Sequence, residues 1–172
     1  MAAADTTLTK WAIWVDGIGK AGNAKSYEPP SLKIKTVDFQ AGDMDMPIEL
    51  DDGMEKLEAN WSIYGFDALQ YGLFGMGQGG SRPVSVRSTY TDRKGNTHTV
   101  VETLRGFIKE LTRDSQDTGS QREKALKAVM AVDYYKVTFD GANLIEIDAE
   151  NGLRSLNGVD MLEGVRAAIS LL

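Results

Sequence analysis

The sequence lacks cysteine altogether and holds only one histidine and four prolines among its 172 residues. Without cysteine the chain can form no disulfide bond, no thiolate metal site and no thiol nucleophile. It also has no apolar run near the roughly 20 residues that span a bilayer, and its first residues lack the basic and apolar segments of a signal peptide. We therefore expect a protein without a membrane anchor that folds in a cytoplasm.

The composition is that of an ordinary globular protein. Hydrophobic residues make up 42% of the chain and charged residues 26%, which is unlike the composition of a disordered chain. A chain of this length usually forms one domain and buries roughly 70% of its unfolded surface. No internal repeat or long linker divides it, so residues 1–172 are predicted to form a single domain.

Negative charge is concentrated in one segment. The formal net charge is −6, yet residues 38–58 alone contain eight acids and one base, whereas residues 82–127 contain ten bases and six acids. Two unlike patches suit head-to-tail contact between copies, because a heterologous interface joins two different surfaces. The alternative is that both segments are solvated loops.

Alternation of apolar and polar residues predicts β-strands over most of the chain. In Glu55–Tyr64, for example, Leu57, Trp61 and other apolar residues occupy every second position, which is typical of a half-buried strand. Asp140-Gly141 between two alternating runs predicts a hairpin turn. The predicted strands are Lys10–Val15, Leu32–Gln40, Glu55–Tyr64, Val84–Thr91, His98–Thr112, Ala125–Phe139 and Leu144–Ile147.

Helix is predicted at only two places. Asp67 can cap a short helix over Ala68–Gly75, and Asp160 with Glu163 has the spacing of a capping box for a C-terminal helix. The apolar stripe of that second helix is Leu162, Val165 and Ile169. The predicted fold is therefore mainly β: an antiparallel β-sandwich or partly open barrel with a short packed helix and a C-terminal helix.

Two of the predicted strands, 98–112 and 125–139, are long for a small domain. Each would extend about 50 Å, and an open edge of that length invites strand addition from another chain. Either loops and bulges protect these edges or pairing with neighbours is their purpose. Gly106 marks a predicted bulge within the first of the two strands.

Three short patterns suggest chemistry, but each lacks the context that the chemistry requires. Residues 75–80 satisfy G-x-G-x-x-G, yet they follow a predicted helix and lead into a strand, whereas a dinucleotide site follows a strand and opens a helix. His98 has no arrangement of acid and serine beside it in the sequence. The acidic run 43–53 departs from the calcium-loop pattern at Pro47 and lacks the central glycine. No catalytic, cofactor or metal-binding residue is predicted.

Four motifs occur in an order that is informative as a set. They are Trp14-Val15-Asp16-Gly17, the segment 42–47 (Gly-Asp-Met-Asp-Met-Pro), the segment 53–58 (Gly-Met-Glu-Lys-Leu-Glu), and the series D-Y-Y-K, D-G, E-I-D-x-x-N-G and N-G-V-D within residues 131–160. The set resembles the major tail tube protein of contractile-tailed phages and R-type pyocins. Asp43 departs from the pattern, because many relatives carry a second glycine there.

The resemblance implies a structural subunit rather than an enzyme. Hexameric rings of such a subunit stack head-to-tail into a hollow tube that a sheath surrounds, for DNA delivery or envelope puncture. The implied partners are other copies, the sheath protein, and the baseplate or hub, tape-measure and tail-terminator proteins. DNA would be a non-specific passing cargo. The implied location is the tail of a virion or pyocin particle that is assembled in the host cytoplasm.

The acidic segment is the predicted site of subunit contact. The resemblance implies that the loop between Gln40 and Glu55 reaches an adjacent subunit, and we expect residues 40–54 to become ordered only on assembly because they carry few large apolar side chains. The predicted interface residues are Asp43, Met44, Asp45, Met46, Asp51, Asp52 and Glu55. Two alternatives are a type VI secretion tube protein and a small β-barrel binding module or hydrolase.

Overall fold

The computed structural model of the protein describes residues 3–77 and 79–169, and most of these lie in β-strands. In chain order the elements are β1 (Thr7–Val15), β2 (Ile18–Gly19), β3 (Ala24–Glu28), β4 (Ile34–Phe39), β5 (Ile48–Met54), β6 (Leu57–Tyr64), α1 (Ala68–Leu73), β7 (Arg82–Thr91), β8 (Thr97–Arg113), a 3-10 turn (Gln121–Glu123), β9 (Ala125–Phe139), β10 (Ala142–Asp148), β11 (Leu153–Leu156), β12 (Val159–Asp160) and α2 (Glu163–Ala168). Neither of the helices in the described ranges has the length and apolar character needed to cross a membrane.

Strand β9 is the branch point of a ten-stranded antiparallel sheet. One of its edges pairs with β8 over almost its whole length. The other edge is shared, since residues 125–132 pair with β6 and residues 134–139 pair with β10. The sheet continues through β10-β11-β12, through β8-β7-β1-β2 and through β6-β3, and it does not close into a barrel. The predicted mainly β fold with an open sheet and two short helices is confirmed.

The hydrophobic core follows the period of two that strands impose. Along β6, Leu57, Ala59, Trp61 and Ile63 are buried, and the residues between them are more exposed, as the sequence predicts. The matching face of β9 is buried as well, at Leu126, Ala128, Met130 and Val132. Tyr135 of β9 also belongs to the core, and the other strands complete it with Ile13, Val15, Val84, Val86, Leu104, Ile108 and Ile147.

Helix α1 is fixed to the sheet by polar contacts. The indole N–H of Trp61 donates to Gln70 Oε1 at 3.1 Å, and both side chains are buried. The Asp67 carboxylate accepts the Leu69 N–H at 3.0 Å and forms a 2.7 Å ion pair with Lys20. The predicted N-cap is therefore confirmed, and the helix ends two residues earlier than predicted.

The predicted capping box at the C-terminal helix is wrong. Asp160 lies in β12 rather than at the N-cap, which is Leu162. One Asp160 oxygen accepts the Leu162 N–H at 2.9 Å, and the other binds the guanidinium of Arg166. The Asp160 carboxylate therefore joins the end of β12 to the N-cap residue and to the body of α2, from a position two residues before the cap. The predicted apolar stripe is largely unburied, with Val165 and Ile169 each about 60% exposed.

Gly106 marks a bulge between the two long strands, as predicted. The register of β8 against β9 shifts between Arg105 and Gly106. A Cβ atom at Gly106 would lie 1.8 Å from the carbonyl oxygen of Ala131, so only glycine allows the two backbones to come this close. The predicted turn at Asp140-Gly141 is also confirmed, with both residues at positive φ as a type I′ turn requires.

Strands β4 and β5 form a separate two-stranded sheet, which we call the arm (residues 34–54). The strand predicted over Leu32–Gln40 is confirmed as β4. The prediction that residues 40–54 lack structure before assembly is wrong for residues 48–54, because Ile48 and Leu50 pair in register with Phe39 and Val37. Only residues 40–47 at the tip of the arm remain outside regular structure.

Replacing Gly106 with alanine should destabilise the protein by about 1–3 kcal/mol, because the added methyl group overlaps a backbone carbonyl that cannot move without disturbing the β8–β9 ladder. Urea unfolding measures the loss. Gly42→Ala is the matched control, since a Cβ there meets no atom within 4 Å and should leave stability nearly unchanged. Equal midpoints for Gly106→Ala and the parent would contradict the close approach.

The Asp67 carboxylate should make stability depend on pH in the acid range. Burial raises its pKa, but the contacts with Lys20, Gln70 and the Leu69 N–H outweigh burial and hold the pKa below its usual value. A lowered folded-state pKa stabilises the protein above the unfolded pKa of 3.8, and this contribution is lost as the pH falls through the folded value.

Asp67→Asn keeps a capping oxygen but removes the charge, so it should cost about 1–3 kcal/mol at pH 7. The difference from the parent should shrink as the pH falls below 3.8 and through the lower folded-state pKa, where the parent carboxylate itself becomes protonated. Unfolding at a series of pH values measures this convergence. A constant difference down to pH 2 would show that the ion pair is not its cause.

Candidate subunit-contact surface

The arm has one apolar and one acidic face. Val37 lies opposite Leu50 and Phe39 opposite Ile48, so these four side chains share a face, and each is 44–50% exposed. The other face carries Thr36 opposite Asp51 and Asp38 opposite Glu49. Like charges directly opposite each other on a β-ladder destabilise it. The arm therefore presents exposed apolar surface on one side and unfavourably concentrated negative charge on the other.

Three of the predicted interface acids are already paired within the chain. Asp52 forms a 3.3 Å ion pair with Lys35, and Glu55 forms a 3.1 Å ion pair with Lys33. Asp51 binds the guanidinium of Arg154 on β11 at 2.6 Å. These contacts hold the base of the arm together and against the main sheet, and they leave the three carboxylates partly exposed. Contact of these three residues with another chain stays a prediction.

The Asp51–Arg154 contact is the link between the arm and the main sheet. The hydrogen bond from Arg154 is the largest influence on the Asp51 carboxyl, and with the Gly53 N–H it lowers the pKa of that carboxyl. The Asp51 carboxylate consequently stays ionised to a lower pH than a free aspartate does.

The other four predicted residues lie together at the tip of the arm. Met44 folds back onto the loop, where its sulfur accepts the Ala41 N–H at 3.3 Å. Met46 is 68% exposed. Asp43 and Asp45 form no ion pair with any of the described residues. The tip thus offers two unpaired carboxylates beside an exposed thioether, a side chain that adapts well to partner surfaces.

The acidic segment does not assemble a metal site. Among residues 3–77 and 79–169 no group of three or more His, Asp or Glu side chains converges as ligands would. The glycine-rich segment that begins at Gly75 follows α1 and leads to β7, as its sequence context predicts. Neither segment has the geometry of the ligand-binding motif that it partly resembles.

His98 has an acidic neighbour that is distant in the sequence. Its Nδ1 lies 2.7 Å from Asp140 Oδ2, and the other Asp140 oxygen accepts the Thr99 N–H at 2.8 Å. The His98 ring also stacks on Phe139, with centroids 5.3 Å apart. The contact with His98, together with the Thr99 N–H, lowers the pKa of Asp140. This cluster joins the β9–β10 turn to the start of β8.

A second exposed surface, which the sequence patterns do not indicate, surrounds α1. Phe66 and Tyr71 stack with ring centroids 5.0 Å apart, and Phe74 is exposed near them in the chain. The Arg113 guanidinium lies 5.6 Å from the centre of the Phe66 ring. Because these aromatic residues do not alternate in a strand or recur at helical spacing, only the folded chain brings them together.

Comparison with known proteins identifies the family. The model of the family described as phage tail tube protein FII matches residues 5–169. The tail tube protein of Escherichia phage P2 is 30% identical over 163 residues, which cover 92% of this chain and 94% of that protein. Neither match favours a type VI tube protein or a small β-barrel module.

Solved structures show the same fold at low sequence identity. A chain of the sheath-tube complex of the extracellular contractile injection system PVC has a TM-score of 0.58 at 11% identity, covering 75% of this chain and 88% of that one. A chain of the anti-feeding prophage cap, which terminates the tube of that prophage, has a TM-score of 0.62 at 12% identity, covering 80% of this chain and 95% of that one. The chain therefore belongs to the phage tail tube family and is a structural tube subunit.

Proposed function

We propose that copies of this subunit form hexameric rings, that the rings stack head-to-tail into a hollow inner tube within a sheath, and that the arm makes contact between subunits. The observation that carries the proposal is the arm itself. It is a preformed hairpin that lies outside the main sheet and leaves a four-residue apolar face half exposed. A face of this kind is typical of protein interaction sites.

Covering this face contributes a favourable free energy to association. Complete burial of a Val, Leu, Ile or Phe side chain is worth about 1.5–3 kcal/mol, so burying the exposed half of four such side chains contributes roughly 3–6 kcal/mol per arm. Each subunit of a ring carries one arm. The contributions therefore add across a ring, whereas a single pair of subunits has little to hold it together.

The main sheet also offers strand edges to neighbouring subunits. The far edge of β3 and most of that of β1 have no strand partner in the part of the chain that the structure describes. Such edges favour pairing with another chain, and closure of a ring of subunits leaves no edge open. We expect these edges to join neighbours so that the sheets line the lumen.

The partners follow from this arrangement. The related PVC structure is a sheath-tube complex, and the related anti-feeding prophage structure is a tube-terminating cap. We accordingly expect a sheath protein and a tail terminator as partners here, with a baseplate or hub and a tape-measure protein at the other end. The chain would be a component of a tail assembled in a bacterial cytoplasm. DNA would pass through the lumen without specific binding, or the particle would puncture envelopes without carrying DNA.

The apolar face should be required for assembly but not for folding. Phe39→Ser combined with Ile48→Ser removes two cross-strand neighbours from that face, and we expect a folded monomer that forms neither rings nor cylinders in negative-stain electron microscopy. The matched control changes a cross-strand pair on the opposite face, Asp38→Asn with Glu49→Gln, and should still assemble. Cylinders from the serine variant would exclude the apolar face as the contact.

The tip of the arm should become protected when subunits assemble. Residues 40–47 lie outside regular structure, so their amides should exchange within seconds in the monomer and slow by at least tenfold in cylinders. Strand β6, which is paired on both edges, should be protected in both states. Equal exchange of residues 40–47 in monomer and cylinder would mean that no neighbour covers the tip.

A further inference from the structure

Glu102 places a carboxylate on the core face of the sheet. It lies directly opposite Val86 on β7 and Val137 on β9, and residues directly opposite each other on a ladder point to the same face. Val86 is fully buried, and Val137 packs against the core. A carboxylate among apolar side chains is costly unless hydrogen bonds or an opposite charge compensate it. Glu102 therefore needs a polar or cationic partner on this face.

The described residues give Glu102 a hydrogen bond but no positive charge. The Tyr135 hydroxyl donates to Glu102 Oε1 at 2.8 Å. Glu102 forms no ion pair with any base among the described residues. Lys25 lies on the same side of the sheet, but its Nζ donates to the Glu123 carbonyl at 3.3 Å and lies 5.5 Å from the centre of the Tyr64 ring. Its charge is thus engaged elsewhere.

A cavity of about 310 Å³ lies beside Glu102, and we call it the aromatic cavity. We define it by Glu102, Trp11, Tyr27 and Tyr90, which all line it. The Trp11 and Tyr27 rings lie with their centroids 6.4 Å apart. The volume is near the lower limit for pockets that hold small ligands. The cavity thus combines three aromatic side chains with one carboxylate.

Strand register brings two of these aromatic residues next to the carboxylate. Ser88 on β7 pairs with Trp11 on one side and with Val100 on the other. Val100 and Glu102 are two positions apart on β8, so they share a face. The same period places Tyr90 on the face of Ser88. Trp11 and Tyr90 consequently lie one and two ladder rows from Glu102, on the face that the carboxylate occupies.

The Tyr27 hydroxyl offers a second polar group to a ligand in the cavity. Its oxygen is buried and makes no hydrogen bond with any described residue. Burial raises the pKa of this hydroxyl, and the negative charge of Glu102 raises it further, so the hydroxyl stays protonated and neutral. A buried hydroxyl without a hydrogen bond is costly. An N–H donor bound in the cavity would remove this cost, because the hydroxyl oxygen can accept its hydrogen bond.

We propose that the aromatic cavity binds one organic cation that carries an alkylguanidinium or alkylammonium group. The cationic head donates a charge-assisted hydrogen bond to Glu102, and such bonds are stronger than those between neutral groups. The surrounding aromatic rings attract the same charge through their π-faces. The Tyr27 hydroxyl oxygen accepts a further hydrogen bond from the head, and the alkyl chain lies against the apolar part of the wall.

The cation has two sources, a free amine or a lysine or arginine side chain of a second copy. The second source rests on the proposed ring of subunits, whereas the site itself does not. It is plausible in geometry because Leu8 on β1 and Tyr27 on β3 both line the cavity. Much of the far edges of these two strands has no strand partner in the part of the chain that the structure describes.

Titration of the monomer with n-butylguanidinium tests the site. Saturation-transfer difference NMR, which observes the ligand, measures the binding. n-Butylurea is the matched control ligand, because it has nearly the same shape and carries no charge. We expect saturable binding of the cation and binding of the urea that is weaker by about tenfold. Equal affinity for the two ligands, or no saturable binding of the cation, would overturn the proposal.

Substitutions show which side chains hold the cation. Glu102→Gln keeps an acceptor for the Tyr135 hydroxyl but removes the charge, so it should weaken binding of n-butylguanidinium by about tenfold. Trp11→Leu should weaken binding by about two- to fivefold. Glu110→Gln is the matched control, since Glu110 is exposed on the same strand and does not line the cavity, and it should bind like the parent.

The neutral ligand separates loss of charge from damage to the cavity. Glu102→Gln should bind n-butylurea as the parent does, whereas a distorted cavity would lose both ligands. Circular dichroism should show the same fold for all variants. Parent-like affinity of Glu102→Gln for n-butylguanidinium would contradict a role of the carboxylate and overturn the proposal.

The same measurement on assembled cylinders distinguishes the two sources. If a second copy supplies the cation, n-butylguanidinium binds the monomer but not the cylinders, because the site is already filled. If a free amine is the ligand, monomer and cylinders bind n-butylguanidinium alike. Both results support the site. Failure of the parent to form rings or cylinders would overturn the proposed function and leave the titration of the monomer as the test of the cavity.

Discussion

The structure depends on the pairing of β9 along both of its edges. Strand β8 takes one edge, and β6 and β10 divide the other, so three branches of the sheet meet at one strand. The close approach of Gly106 to Ala131 allows β8 to stay against β9 through its bend. Because β6 begins beside Val132 and ends beside Ala125, this pairing also decides where the arm leaves the sheet.

Local patterns in the sequence predict the strands that bury one face, but not how those strands are connected in space. Leu57, Trp61 and their apolar neighbours alternate with polar residues because only one face of β6 packs in the core. Asp140-Gly141 predicts its turn because a type I′ turn requires positive φ at both of its central residues. The sharing of β9 between β6 and β10 has no local signature, since it depends on two segments separated by some 80 residues. Strands β3 and β11 are short and only partly buried, which leaves their alternation too weak to predict them.

The predicted contact residues fall into two groups, those that form ion pairs within the chain and those that do not. The sequence does not identify these ion pairs, because the paired side chains can lie far apart along it. Asp51 appears as free as Asp45 in the sequence, but its partner Arg154 lies 103 positions away. Charge counting therefore locates the acidic segment, but it does not show which of its carboxylates form ion pairs within the chain. The C-terminal capping box fails for a different reason, because the chain is still in β12 at Asp160 and the helix begins only after Leu162. The first case depends on a distant side chain, and the second on an element boundary that the local pattern does not fix.

The contact between Asp51 and Arg154 also sets an order in time. Arg154 lies 103 positions after Asp51, so a chain that emerges from the ribosome contains both strands of the arm long before it contains the arginine that fixes the arm to the main sheet. The arm can therefore take its final place only after β11 has been synthesised.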